Sequence, residues 1–273
     1  VLAAKGQCLA FEPPRFEDGE RGGSTVGGMV AAGLAGPARV SQGAVRDFVL
    51  GVEIINGRGE LLRYGGQVMK NVAGYDVSRL MAGSWGTLGV ITEVSLKVLP
   101  VAPAQATLVF AMDEAQALEA LNRWGGQPLP LNASCWAQGQ LWLRLCGAQA
   151  AVQAACQKLG GERLPDDQAA ALWHSLREQQ HPWFAARSDA DALWRLSLPQ
   201  TAAPLALPEG LAAPLIEWHG AQRWVQAPRT MASAITAAAQ AAGGSATIFR
   251  AERADQLSNW PIFNPQSATL QAV

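Results

Sequence analysis

Gly83-Ser84-Trp85-Gly86-Thr87-Leu88-Gly89-Val90-Ile91-Thr92 is the stretch that decides how this chain is read. Glycines three apart leave the backbone bare, let successive N–H groups turn into one concavity and admit a phosphate or a flat ring at close range. Downstream, Leu88, Val90, Val94, Leu96 and Val98 share one parity and Glu93, Ser95 and Lys97 the other, which predicts a strand with one buried and one wet face. The spacing G-x-x-G-x-x-G enters a strand rather than a helix, so it is not the dinucleotide fingerprint. No Gly-Lys-Ser/Thr follows, so it is not a P-loop. The stretch predicts a cradle for an anionic cofactor, anchored to a sheet.

Upstream, residues 24–37 form a second run of small residues, Ser24-Thr25-Val26-Gly27-Gly28-Met29-Val30-Ala31-Ala32-Gly33-Leu34-Ala35-Gly36-Pro37, suited to close backbone packing against a flat ligand. An apolar run over 48–55 meets Asn56-Gly57-Arg58-Gly59 and resumes over 60–64, which reads as a hairpin with an Asn-Gly turn. Arg46-Asp47 and Tyr75-Asp76 place polar groups inside apolar phrases. A hydrogen-bonded pair holding two loops together is the ordinary expectation for them, and Lys70 is expected to be solvated.

In this order and spacing, these segments together with Val45-Arg46-Asp47-Phe48-Val49-Leu50-Gly51 and Lys70-Asn71-Val72-Ala73-Gly74-Tyr75-Asp76 resemble the vanillyl-alcohol oxidase and D-lactate dehydrogenase family of flavoproteins. The phrases Phe11-Glu12-Pro13-Pro14 and 68–80 are similar to its glycolate oxidase branch. The likeness is dense over 9–100 and thinner beyond. It implies FAD as cofactor, with Thr25, Gly27, Gly28, Ala32, Gly33, Gly86, Thr87, Leu88, Gly89, Val90 and Ile91 as contact positions, matched one by one to the family phrases. Small residues that merely let strands and turns pack are the bland alternative for all eleven. The resemblance also implies an α+β fold: the second subdomain of a vanillyl-alcohol oxidase-type FAD-binding domain, plus a cap domain that roofs the flavin and shapes the substrate pocket. Family members begin with a small βαβ lobe whose Gly/Ser-rich loop grips the FAD pyrophosphate, and they close with an aromatic, Asn-Pro-Gly tail. Neither is matched here, so the resemblance implies a fragment that holds FAD weakly or not at all.

Pro100 and Pro103 interrupt the pattern, and the composition turns rich in tryptophan and alanine. The predicted division is an FAD-binding domain over 1–102, a cap over 103–250, and a segment over 251–273 returning toward the first domain. Within the cap, 107–112 reads as a strand. Asp113 and Gln116 form a capping pair for a helix burying Ala117, Leu118, Leu121 and Trp124. Leu141, Leu143 and Leu145 alternate along another strand, and a helix with Val152, Cys156 and Leu159 ends at Gly160-Gly161. A helix over 169–178, strands over 193–198, 215–218 and 223–226, a helix over 229–242 and a strand over 246–250 repeat the grammar. Such an order predicts an antiparallel sheet with helices on one face, and the resemblance makes it ferredoxin-like.

A chain of 273 residues can bury a sizeable core. With 49% hydrophobic and 16% charged residues, either an apolar surface meets a partner or alanine inflates the apolar fraction. A net charge of −1 carries no electrostatic footprint for nucleic acid. No run of eighteen apolar residues and no signal peptide is present, which predicts a cytoplasmic protein, touching membrane at most through partners. Cys8, Cys135, Cys146 and Cys156 form no C-x-x-C pair and are expected to be reduced, buried small hydrophobes. His174, His181 and His219 have no metal-ligand spacing, so no metal site is predicted and no catalytic residue is assigned. Trp136, Trp142, Trp194, Trp218 and Trp224 fall on predicted strands, where cross-strand packing competes with a docking surface.

The resemblance implies an FAD-binding subunit that oxidises glycolate, or D-lactate, to the 2-oxo acid beside a catalytic flavoprotein paralogue and an iron–sulfur subunit, with electrons passing to a membrane acceptor. Two alternatives stay open: a self-sufficient FAD-dependent D-2-hydroxy-acid dehydrogenase, and a non-catalytic scaffold whose flavin site has decayed.

Overall fold

A computed structural model describes residues 1–16, 23–66 and 74–251. Lys70 and Asn71, and the segment 252–273, lie outside the described residues. The chain divides into two compact units. Among the described residues, the first comprises Val1–Gln105, Gly147–Gln149 and Asp167–His181, and the second Ala106–Cys146, Ala150–Asp166 and 182–251.

The first unit opens with a 3-10 turn, Ala3–Lys5, and runs through β1 (Gln7–Cys8), α1 (Val26–Ala32), α2 (Arg39–Gln42), α3 (Val45–Phe48), β2 (Val49–Ile55), β3 (Leu61–Gly65), α4 (Val77–Leu80), β4 (Val90–Leu96) and β5 (Leu99–Pro100). β3, β2 and β4 form an antiparallel sheet in that order, and β1 pairs with β5. The predicted hairpin is β2–β3: Asn56 closes it by accepting the amides of Arg58 and Glu60 on Oδ1. The core gathers Phe11, Val30, Val45, Phe48, Val49, Val52, Ile54 and Met81, with the Phe11 and Phe48 rings 5.3 Å apart. Burying side chains of this size contributes roughly 1.5–3 kcal/mol each, which explains why so short a run of helices holds together on one face of three strands.

The predicted parity of β4 is wrong for its first half. Val94 pairs with Val52 and Glu93 with Glu53, but Ile54 pairs with Ile91, so Thr92 is the extra residue of a β-bulge. One inserted residue inverts the side-chain phase. Ile91, Val94 and Leu96 therefore pack on the core while Val90 is 65% exposed. The acids of the two polar phrases form local hydrogen bonds; that of the Arg79 amide, aided by the Arg46 charge reaching Asp76 across the two segments, holds the Asp76 carboxyl below the usual range. Asp47 accepts the Ala44 amide, and Asp76 caps α4 by accepting the Arg79 amide and the Ser78 hydroxyl.

The second unit carries β6 (Ala104–Ala111), α5 (Glu114–Gly125), β7 (Leu131–Ala137), β8 (Gln140–Gly147), α6 (Gln149–Leu159) and β9 (Glu162–Leu164). After α7 (Asp166–Arg177), nearly all of which belongs to the first unit, come α8 (Pro182–Ala185), β10 (Asp191–Ser197), β11 (Leu215–Glu217), β12 (Gln222–Pro228), α9 (Ala232–Ala241) and β13 (Ser245–Arg250). Eight strands form one sheet in the order β13-β10-β12-β11-β7-β8-β6-β9. The pairings β10–β13, β10–β12, β11–β12, β7–β11, β7–β8 and β6–β9 are antiparallel. The α5 capping box forms as predicted, with the Gln116 amide donating to Asp113 Oδ1 at 2.8 Å and the Asp113 amide to Gln116 Oε1 at 3.1 Å. Ala117, Leu118, Leu121 and Trp124 are all buried beneath it. α9 lays Ile235 and Ala239 on Trp194, Leu196, Val225 and Ile248 of the sheet. Trp183, Phe184, Trp224 and Phe249 form a separate chain of edge-on rings 5.0–5.7 Å apart, so these tryptophans serve packing.

Candidate functional site

All eleven residues of the predicted cofactor site lie in the first unit, on two segments that the fold presses together. The upstream segment is helical, which the small-residue reading did not anticipate. Thr25 is the N-cap of α1, its Oγ1 accepting the Gly28 amide at 3.0 Å; Gly27 and Gly28 fill the first turn, Ala32 ends the helix and Gly33 is its left-handed cap at φ 65°. The downstream segment is the glycine turn. Gly86 sits at φ 75°, and Thr87 closes on Ser84 through both its amide, at 3.0 Å, and its hydroxyl. Leu88 is exposed, Gly89 precedes β4, and Val90 and Ile91 begin that strand.

Two backbone bonds clamp the segments. The Gly83 amide donates to Val30 O and the Trp85 amide to Ala31 O, each at 3.0 Å, so the last turn of α1 supplies acceptors to the loop. A Cβ on Gly33 would stand 2.8 Å from Gly83 Cα, a Cβ on Gly27 3.4 Å from Ile91 O, and a Cβ on Gly89 2.7 Å from Ile55 O. The approaches at Gly33 and Gly89 need bare backbone, because a real Cβ contact is almost never shorter than about 3 Å, whereas the Gly27 approach is an ordinary contact distance.

What this arrangement offers a ligand is specific. The amides of Gly86, Leu88 and Gly89 donate to no acceptor among the described residues. Ser84 Oγ is buried and has no partner. Around them Trp85, Leu88 and Val90 are 70%, 46% and 65% exposed. Free donors beside apolar side chains suit a ligand with an anionic part and a flat apolar part, and FAD has both. The residues present thus fit the expected group. Ser84 and Trp85 were not among the eleven candidate positions, although an aromatic between two glycines of a ligand-type turn was an available signal.

No group of three or more His, Cys, Asp or Glu placed to hold a metal occurs among the described residues. His174 is exposed on α7, and His181 is buried just beyond it. His219 lies in a turn between β11 and β12, where burial pushes its imidazole down to about 4 and leaves Nδ1 without a partner. Of the four free cysteines only Cys135 is fully buried, and burial followed by the nearby Glu217 charge drives its thiol well above the usual range. Cys8, Cys146 and Cys156 are half-buried, less than expected. No helix among the described residues is long and apolar enough to cross a membrane.

Comparison with known proteins bears directly on the first unit. A family profile described as an FAD binding domain matches residues 1–65. The chain is 47% identical over 251 residues to the glycolate oxidase subunit GlcE of Escherichia coli K12, covering 92% of this chain and 67% of that protein. It is 41% identical over 86 residues to the glycolate oxidase subunit GlcD of Bacillus subtilis, covering 32% and 18%. Among solved structures, an alkyldihydroxyacetonephosphate synthase superposes with a TM-score of 0.57 at 16% identity, over 89% of this chain and 57% of that one. That likeness is one of fold, and it agrees with the α+β architecture expected from the sequence.

Proposed function

From the premise that this chain belongs to the glycolate oxidase subunit family of FAD-dependent oxidoreductases, we propose that it is an FAD-binding subunit of a glycolate-oxidising complex. The observation that carries the reading is the 47% identity to GlcE, which extends along 92% of the chain and so covers both compact units. In this proposal the loop 83–91 and α1 hold the cofactor. The amides of Gly86, Leu88 and Gly89 meet its anionic part, and the close approaches at Gly33 and Gly89 hold the backbone around that turn. Thr25 fixes the first turn of α1, and Ala32 lets the helix end against the loop.

When bound, FAD would supply the two-electron acceptor needed to take a hydride from the carbon of a 2-hydroxy acid whose hydroxyl gives up a proton. We place turnover within a complex, beside a catalytic flavoprotein paralogue and an iron–sulfur subunit, rather than in the lone chain. Two of the relatives are named as glycolate oxidase subunits, which supports an assembly.

The test is to express the full-length protein with and without its neighbouring gene products, and to measure bound flavin together with glycolate- and D-lactate-dependent dye reduction. Flavin in the lone subunit with turnover only in the complex is expected. Turnover by the lone subunit would point to a self-sufficient dehydrogenase, and no flavin in either state to a scaffold.

A further inference from the structure

Trp85 holds an unusual combination of cost and exposure. Its backbone is left-handed at φ 54°, a region that residues with a Cβ occupy at a cost. The two backbone bonds from Gly83 and Trp85 to the end of α1 keep it there. Yet its indole is 70% exposed, the highest of any tryptophan among the described residues, so burial repays little of the strain. Backbone strain that survives without a packing benefit to its side chain is characteristic of ligand clamps.

The neighbourhood selects the ligand. Within four residues on the C-terminal side stand the free amides of Gly86, Leu88 and Gly89, and on the N-terminal side the unpartnered buried hydroxyl of Ser84. Leu88 and Val90 add exposed apolar surface on the same turn. A protein partner would need a broad apolar patch around the aromatic anchor. A loop that presents unpaired donors directly beside an exposed ring instead matches a ligand whose charge and flat heterocycle are a few bonds apart.

We propose that Trp85 is a cofactor-contact residue, its indole stacking on a planar heterocycle of the bound dinucleotide while the adjoining amides take its charged part. This rests on the FAD reading above and deepens it. The strained, clamped backbone then has a purpose: it presents the indole in one orientation before the cofactor arrives, so that little freedom is lost on binding.

The experiment uses the full-length protein stripped of flavin and titrated with FAD, comparing wild type, Trp85→Ala and Trp85→Phe by flavin fluorescence and by the visible absorbance and circular dichroism of the bound cofactor. Trp85→Ala is expected to weaken FAD by roughly 5- to 100-fold, the range that loss of one base–aromatic stack produces. Trp85→Phe should retain affinity within about threefold, since a ring still stacks, yet give brighter bound flavin because the quenching indole is gone. Thermal unfolding of the apo proteins reports folding separately. Unchanged affinity and unchanged flavin spectra in Trp85→Ala would overturn the proposal, as would loss of subunit association with FAD retained, which would make Trp85 a docking residue. If wild type itself takes up no FAD, the FAD reading fails first, and the proposal about Trp85 falls with it.

Discussion

Gly33 and Gly83 meet backbone to backbone: a Cβ on Gly33 would stand 2.8 Å from the Cα of Gly83 and 3.0 Å from its nitrogen. The contact joins the end of α1 to the start of the glycine loop, and both residues are left-handed, at φ 65° and 80°.

Gly33→Ala therefore adds a clash against rigid backbone to the cost of a left-handed non-glycine residue. The expected loss is about 2 kcal/mol or more, read as a lower urea midpoint, with flavin content falling alongside. A wild-type midpoint would mean that the loop is not pressed against α1.

Glu178 ties sequence-distant segments within the first unit. Its carboxylate accepts the amides of Arg15 and Phe16, each at 2.9 Å, and pairs with the Arg177 guanidinium. Burial acts to raise its carboxyl, but the hydrogen bonds from Arg15, Phe16 and Arg177 outweigh that and hold it below the usual range. A depressed carboxyl contributes stability that is complete above its unfolded value, near 4.3, and is lost as pH falls through the folded value. Glu178→Gln should cost about 1–3 kcal/mol at neutral pH and flatten the acid limb of the stability curve below about pH 4. An unchanged acid limb would show that the latch is already open in solution.

His219 runs on a separate window. Its folded value of about 4 lies below the ordinary 6.5, with burial as the cause, so the unfolded chain binds the extra proton first. Stability is full above about pH 6.5 and drains as pH falls toward about 4, by at most about 3 kcal/mol. His219→Gln should remove that slope between pH 6.5 and 4 in denaturant titrations, and a slope that persists would assign it to another group.

Arg223 has no exposed surface, yet it carries a charge. Its guanidinium donates to the carbonyls of Ala202, Ala203 and Gly220 and lies 3.7 Å from Glu114. Arg223→Ala would orphan those carbonyls and leave Glu114 half-buried without its counter-charge, at a cost of about 3–5 kcal/mol. Arg223→Lys should recover only part of it, because an ammonium cannot fork between the three carbonyls. Thermal unfolding of the two variants gives the comparison, and equal midpoints for both would mean that the charge alone matters.

Local signals were legible wherever the chemistry is local. Asp113 and Gln116 announced the α5 capping box because a capping pair is written within four residues. Asn56-Gly57 announced the β2–β3 turn for the same reason, and Leu141, Leu143 and Leu145 announced a buried strand face. The short strand β9 and the small helices α2, α3 and α4 were not legible, because three or four residues carry too little periodicity to separate from a loop. α1 was missed because Gly27 and Gly28 have poor helix propensity; its helix is held by the Thr25 cap and by acceptors it lends to the glycine loop.

The sequence by itself determined the alternation of elements, the hairpin, the cofactor-type turn and, through its phrases, the flavoprotein family, since each is encoded by neighbours along the chain or by order and spacing. Only the tertiary structure decided that α7 packs with the first unit, that Thr92 bulges and turns Val90 outward and Ile91 inward, that Gly33 and Gly83 touch, and that Trp85 stands exposed on a clamped backbone. Each of these depends on two segments far apart in sequence meeting in space. The free energy of such a meeting comes from burial and hydrogen bonds that neither segment contains alone.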